Sequence, residues 1–416
     1  VPEAPAATAL TFAAGADGAF PLSAGASLTV CRPGPPSVAD PVAAVRDALA
    51  NPIEFPSLSR SVIPDDRVTL ALSPDLTDPA AVVGGVWGEL AKAGVDPQRL
   101  ALIRGAGPGY GGAADGRFGG DPRGGLPRVA AEAASFTRHD PEEKEACGYL
   151  ASTAAGDRVY LARPVLEADV VVSCGALRFD PLLGVAGANS VFVPGLSDED
   201  AVLKARGQGH AELGPEDDRP LRQLADEVGW LLGTQFTVQT IPAADGGTAV
   251  ALAGGTEAVL RRGRELLDEL WRVRAPVRSE VVLVAVAPGS PDRWAATARA
   301  LDAARRLVER GGKIVVLTDL AGSPPPGLAE LSRAEEPADV LRPLRQFRPP
   351  DLLAATAWAN AADRARIYLL SGLEDNLAED LFTVPLSEPG EAARVVAAAS
   401  SVAAVGGAQY AWCEAA

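Results

Sequence analysis

The sequence predicts an α/β protein in two domains, and three observations carry the prediction. At 416 residues the chain exceeds what one hydrophobic core usually organises. Short β-branched runs alternate with longer stretches of helical periodicity, most clearly where Arg67–Leu72, the segment opened by Asp78 and Pro79, and Leu100–Ile103 form a strand–helix–strand unit. The pattern restarts after Ala275–Pro276, where Glu280–Val286, a long helical stretch and Lys313–Thr318 repeat it. The expected organisation is therefore one domain over residues 1–274 and a second over 275–416, each a Rossmann-like sheet flanked by helices, with an interdomain cleft for a ligand.

Taken in order, residues 8–34 read as an antiparallel pair whose second strand contains Leu28 and Val30. Asp40 caps and Pro41 opens a helix that carries Val42, Val45 and Leu49 on one face and ends before Pro52. The helix opened by Asp78 and Pro79 buries Val83, Val86 and Leu90 and ends near Gly94. Gly107, Gly109 and Gly112 match GxGxxG after a strand, but the glycines and proline that follow are a poor opening for a helix, so a surface loop or lid is the better reading. A short helix over LPRVAAEAA, a loop holding His139, and strands near Arg158–Ala162 and Ala168–Val172 come next. Ser197 is expected to cap a further helix with Asp200 at its third position, and residues 219–232 form another with Leu221, Leu224, Val228 and Leu231 on one side. Phe236–Ile241 and Thr248–Ala251 are strands, followed by a helix over 254–273. In the second domain a helix capped near Ser290 is stopped by Gly311–Gly312, Ile367–Leu370 is a strand, and residues 389–404 supply the last helix, with Val402–Ala404 open to assignment as a following loop.

Composition removes several classes of function. A formal charge of −16, with no obvious local cluster of Lys and Arg, argues against nucleic acid or an anionic membrane as the main partner. Apolar runs stay well short of the roughly 20 residues of a membrane span, and VPEAPAATAL lacks the basic and apolar regions of a signal peptide, so a cytoplasmic protein is expected. Four widely spaced cysteines give no disulfide framework, and only His139 and His210 are available as imidazoles, too few for a centre of three histidines. Homo-oligomerisation is compatible with all of this and is not indicated by it.

The segment 156–198 organises the rest. Val170, Val171 and Val172 read as a buried strand, after which a Gly/Pro/Asp/Asn-rich crossing runs until apolar character returns at Val191–Val193. In an α/β sheet a ligand sits beyond such a strand end. Gly175, Gly184, Gly187 and Asn189 are candidates for positive φ or for close approach, and Arg178 and Asp180 are the charges aimed into the crevice. Arg178 can bind a carboxylate or phosphate bidentately, or can serve as an internal ion-pair partner. Asp180 is a candidate base or turn cap, and Asn189 and Ser190 either contact a ligand or satisfy their own turn. Asp75, Thr77 and Asp78 follow the strand at Arg67–Leu72 and are candidate substrate or hard-cation groups, or simply a helix start. Cys174 has no base in sequence to activate it and reads as a small buried residue.

ALANPIEFPSL, RVTLALSPDLTDP, ADVVVSCGALRFDPLLGVAGANSVFVPGLSD, GGTEAVLRRG and VERGGKIVVL, in that order, resemble segments of the lactate racemase family. The resemblance runs from about residue 20 to residue 404. It implies the two-domain fold, a nickel-pincer nucleotide, two catalytic histidines, a lysine that anchors the cofactor and cationic groups that hold a 2-hydroxy acid. At the matching positions Gly105–Tyr110 holds no histidine, the second histidine falls at or near Asp180, the anchoring lysine at Ser190 beside Asn189, the substrate arginine at Asp78, and the substrate lysine near Ala300 beside Arg299. His210 corresponds to the nickel-ligating histidine if an insertion of a few residues is allowed. The sequence thus disfavours the nickel-pincer nucleotide and leaves the cofactor unknown. Moving a hydroxyl proton suits an imidazole of pKa ~6.5 better than a carboxylate near ~3.9, and Asp78 reverses the charge offered to a carboxylate substrate. Ordinary lactate racemisation is not expected. The readings that remain are a divergent enzyme acting on another, cationic or neutral, small molecule through Arg178 and Asp180, and a non-catalytic ligand-binding or assembly protein. A racemase or epimerase with a rearranged nickel-pincer site is a further alternative.

Overall fold

The structure is a computed structural model that describes residues 9–11, 19–21, 27–105, 120–205, 213–290 and 292–416. It is a mixed α/β architecture of sheets flanked by helices, and the chain divides into two compact units. One comprises Ser37–Pro242 and Gly247–Glu269; the other comprises Val1–Pro36, Ala243–Gly246 and Leu270–Ala416. No helix among the described residues is long and apolar enough to cross a membrane.

The first unit is built on a six-stranded sheet in the order Thr248–Gly255, Phe236–Pro242, Val170–Ala176, Val68–Leu72, Leu100–Arg104, Ser135–Arg138. All neighbours are parallel except Thr248–Gly255, which returns antiparallel to Phe236–Pro242. Val68–Leu72 is buried along its whole length, as a central strand covered on both faces must be. Pro41–Ala50 starts as its sequence directs, with Asp40 Oδ1 accepting from Ala43 N at 3.0 Å; Val45 and Leu49 are buried, whereas Val42 is exposed. The following Asn-Pro-Ile stretch adds a short parallel bridge, Ile53 to Gly254, whose backbone lies so close that a Cβ on Gly254 would fall 2.4 Å from Ile53 N.

The second unit has its own six-stranded parallel sheet, in the order Thr383–Leu386, Arg366–Leu370, Val308–Leu317, Ser279–Ala285, Ser401–Val405, Ser27–Arg32. Its core of Val282, Val284, Leu301, Ile314 and Trp358 packs helices Arg293–Leu307 and Leu352–Arg364 against one face.

Several boundaries differ from the sequence reading, each for a tertiary reason. Leu28 and Val30 do not form an antiparallel pair with the preceding residues: Ser27–Arg32 lies parallel to Ser401–Val405, and the antiparallel pair is Ala9–Thr11 with Ala19–Pro21. Val402–Ala404 are therefore strand, the preceding helix being Pro389–Ala397. The cap at 197–200 is Asp198, whose Oδ1 accepts from Ala201 N at 3.1 Å, because Ser197 Oγ is drawn inward to donate to Phe192 O at 3.0 Å. The cap of Arg293–Leu307 is Asp292, not Ser290, and that helix ends at Leu307 as the chain turns into the next strand. The Gly-rich crossing after Val170–Ala176 contains a two-stranded hairpin, Arg178–Asp180 with Gly184–Ala186, and Val191 closes a short 3-10 turn.

Candidate functional site

Within the first unit the chain leaves Val68–Leu72 for Leu100–Arg104 on one side of the sheet and later returns through Val170–Ala176 on the other. The carboxyl ends of Val68–Leu72 and Val170–Ala176 thus flank the topological switch point, where helices cannot cover the strand ends. Ser73 N donates to Cys174 O at 2.8 Å and holds the two exits together.

This junction brings Asp75, Arg178 and Asp180 into one ion-paired group. Arg178 Nε donates to Asp75 Oδ2 at 2.5 Å, and its Nη1 donates to Asp180 Oδ2 at 2.7 Å and to Phe179 O at 3.2 Å. Asp180 Oδ1 accepts from Leu182 N at 2.8 Å and Leu183 N at 3.1 Å, so the carboxylate also closes the hairpin turn. Ser73 Oγ donates to Asp75 Oδ1. Side-chain exposure is 6% for Arg178 and 2% for Asp180 but 26% for Asp75, which makes Asp75 the member that meets solvent.

Beside it, Asp78 stands at the start of helix Pro79–Lys92 with φ 46° and makes no side-chain cap. Its carboxylate is instead turned to Thr248, whose Oγ1 donates to Asp78 Oδ2 at 2.7 Å. Thr77 Oγ1 lies 2.7 Å from Thr248 Oγ1 and donates to Thr240 Oγ1 at 2.8 Å, all three hydroxyls being buried. Thr77 and Asp78 are thereby tied to Phe236–Pro242 and Thr248–Gly255, an arrangement that a simple helix start would not need.

Asn189 and Ser190 belong to the turn that follows. Gly187 and Ala188 take positive φ, 111° and 50°, as does Gly184 at 72°; Gly175 and Asn189 do not. Ser190 Oγ accepts from Gly187 N at 2.8 Å. Asn189 Nδ2 reaches Asp226 Oδ1 at 3.4 Å, and its amide packs so tightly on helix Pro220–Leu232 that a Cβ on Gly229 would fall 2.2 Å from Asn189 Cγ. Asn189 Oδ1 is buried and accepts no hydrogen bond among the described residues.

Gln239 was not among the residues singled out in the sequence. It is fully buried, its Oε1 accepts from Ala188 N at 2.9 Å, and its Nε2 donates to Thr237 Oγ1 at 2.6 Å. Ser173 and Thr237 exchange further bonds below it. A Cβ at Gly175 or Gly187 would lie 3.1 or 2.8 Å from Gln239 Oε1, so these glycines make room for it. The signal was present: Thr237, Gln239 and Thr240 are three polar residues inside one fully buried strand, and Thr237 and Gln239 share a face at period two.

Arg299 lies in the other unit, on helix Arg293–Leu307, where its charge acts on Asp292; burial nonetheless pushes the Asp292 carboxyl above its usual range. His210 and the GxGxxG glycines lie outside the described residues. His139 is 4% exposed with Nε2 2.7 Å from Ser197 O, and burial pulls its imidazole below its ordinary value. Burial pushes the Cys174 thiol up to about 12, which removes it as a nucleophile at neutral pH. Among the described residues no three His, Cys, Asp or Glu side chains are grouped so as to hold a metal ion.

Residues 18–210 match the family model of the lactate racemase N-terminal domain. The structure is similar to that of the lactate racemase apoprotein from Thermoanaerobacterium thermosaccharolyticum, with 15% identity, 95% of this chain and 97% of that chain covered, and a TM-score of 0.76. It is also similar to the crystal structure of a protein from Thermotoga maritima, with 11% identity, 90% and 98% covered, and a TM-score of 0.66. At these identities the likeness is one of fold. No curated protein matches the sequence.

Proposed function

We propose that this chain is a divergent relative of lactate racemase that binds a small cationic or neutral molecule at the carboxyl end of its first sheet and does not racemise lactate. The observation that carries the reading is Arg178, buried between Asp75 and Asp180 with its guanidinium committed to both. An arginine held in this way offers little to an incoming carboxylate, and Asp75, Asp78 and Asp180 outnumber Arg178 among the charged residues of these loops. Asp75, as the exposed member, is the group that would meet a ligand ammonium or hydroxyl.

The positions to which the resemblance assigns chemistry support the same reading. Asp180 is tied to Arg178 and to two backbone N–H groups, Ser190 accepts from Gly187 N, and Asp78 accepts from Thr248. None of these offers the amine that would anchor a pincer nucleotide, so the described residues do not fit that cofactor. An imidazole is the side chain suited to moving protons near neutral pH, and none lies among the described residues of this junction, which favours binding over proton-transfer catalysis.

The test is calorimetric titration of the full chain with short primary amines, neutral polyols and lactate, for the natural sequence and Asp75→Asn. The reading expects an amine or polyol to bind, about tenfold more weakly to the variant, with no response to lactate. Intact mass and metal content of protein isolated from its native host should show neither nickel nor an added nucleotide-sized mass. Lactate racemisation, or nickel with such a mass, would replace this reading with the rearranged nickel-pincer site.

A further inference from the structure

A separate cavity of about 320 Å³ opens in the first unit between strand Arg158–Ala162, helix Glu199–Ala205 and helix Pro220–Leu232. Its size is that of a site for a small organic ligand. Val193, Leu221 and Leu224 are its apolar lining, and Tyr160, whose ring meets that of Tyr149 edge-on at 5.7 Å, borders it. The rim carries both signs of charge: Arg158 and Lys204 face the same space as Asp157, Asp198 and Asp200.

The disposition of these charges defines the ligand. Asp200 and Lys204 are four residues apart on one helix and so project side by side, a carboxylate and an ammonium within one turn of each other. Asp198 has one oxygen committed to capping that helix. Lys204 reaches Asp157 at 3.4 Å, but the two side chains are 69% and 61% exposed, and such a pair is worth little and readily exchanged for a ligand. We propose that the cavity binds a small zwitterion with an apolar side chain, chemically an apolar α-amino acid. The ammonium lies by Asp200 and Asp198, the carboxylate by Lys204 and Arg158, and the side chain on Val193, Leu221 and Leu224 beside Tyr160. A simple amine would leave the two cations unused, and a simple acid would lie against three carboxylates.

The experiment is calorimetric titration of the full chain with L-leucine, leucinamide and 4-methylpentanoate, the last two lacking one charge each. Leucine should bind at least tenfold more tightly than either. Asp200→Asn, an exposed change, should weaken leucine and leucinamide while leaving 4-methylpentanoate no weaker than before, and Leu224→Trp, which enlarges the apolar lining, should abolish binding. If Leu224→Trp does not fold, the Asp200→Asn comparison still decides. Absence of leucine binding at millimolar concentration, equal binding of all three compounds, or leucine binding indifferent to Asp200→Asn would overturn the proposal.

Discussion

Replacing Arg178 by Met tests whether the charged junction is held by its own ion pairs. The change keeps most of the side-chain volume and removes the charge, leaving Asp75 and Asp180 facing each other. Removing one partner of a buried ion pair costs about 3–5 kcal/mol, because the remaining charge stays desolvated. Asp75, with side-chain exposure of 26%, can rehydrate, and Asp180 keeps its two backbone donors, so the lower end, about 3 kcal/mol, is expected. That corresponds to roughly a hundredfold loss of local protection. Native-state hydrogen exchange of peptides spanning residues 170–190 reads this directly, without assuming that both units unfold together. Adding Asp180→Asn removes the unpaired charge while its Oδ1 still accepts from Leu182 and Leu183, so the double variant should recover most of the loss. Protection in Arg178→Met within about threefold of the natural protein would refute the argument, since the guanidinium would then be holding nothing.

Three further outcomes follow from the packing. His139 is buried and its pKa is lowered, so it stays neutral in the folded state while the unfolded chain takes up a proton near ~6.5; its contribution is complete above that pH and is lost as pH falls through that value toward the lower folded one. His139→Gln, whose Nε2 can still donate to Ser197 O, should flatten the melting temperature between pH 5 and 7 relative to the natural protein. Gly229→Ala places a Cβ 2.2 Å from Asn189 Cγ and should cost about 1–3 kcal/mol in urea denaturation monitored by far-UV circular dichroism, with a smaller cost in an Asn189→Ala background. Burial raises the Asp292 carboxyl, so this group contributes most at acid pH and loses that contribution as pH rises through its folded value. At pH 7 Asp292→Asn, which preserves the acceptor for Ala295 N, should therefore melt no lower than the natural protein, whereas Asp292→Ala should lose about 1 kcal/mol of capping.

What the sequence disclosed was whatever has a local signature. The strand at Phe236–Pro242 follows from a short run before a Gly-containing turn, and the helices at Pro41–Ala50 and Pro220–Leu232 from period-3.6 patterning, with Pro41 suited to the first turn of the former. The partner of Ser27–Arg32 is 373 residues away at its Thr29–Val402 hydrogen bond, and no local feature marks it. The caps fall at Asp198 and Asp292 and not at Ser197 or Ser290, which are equally good caps in isolation, because those hydroxyls are claimed by Phe192 O and Ala287 O.

The junction itself was legible as a place more than as a chemistry. Asp75, Arg178 and Asp180 attract notice because they follow strands in a parallel sheet, a property of topology that patterning reveals. Whether Arg178 reaches for a ligand or for its own chain depends on a contact 103 residues distant, which patterning cannot supply. Once that contact is made, the guanidinium fork is committed and the sign of the site is set by what it leaves over. Asp75 is then the exposed charge, Thr77 and Asp78 are drawn to Thr240 and Thr248, and Gln239 fixes the turn that carries Asn189. A carboxylate ligand would have to displace Asp75 from Arg178, whereas a cation needs only to approach Asp75, and this asymmetry is the physical reason to look first for an amine.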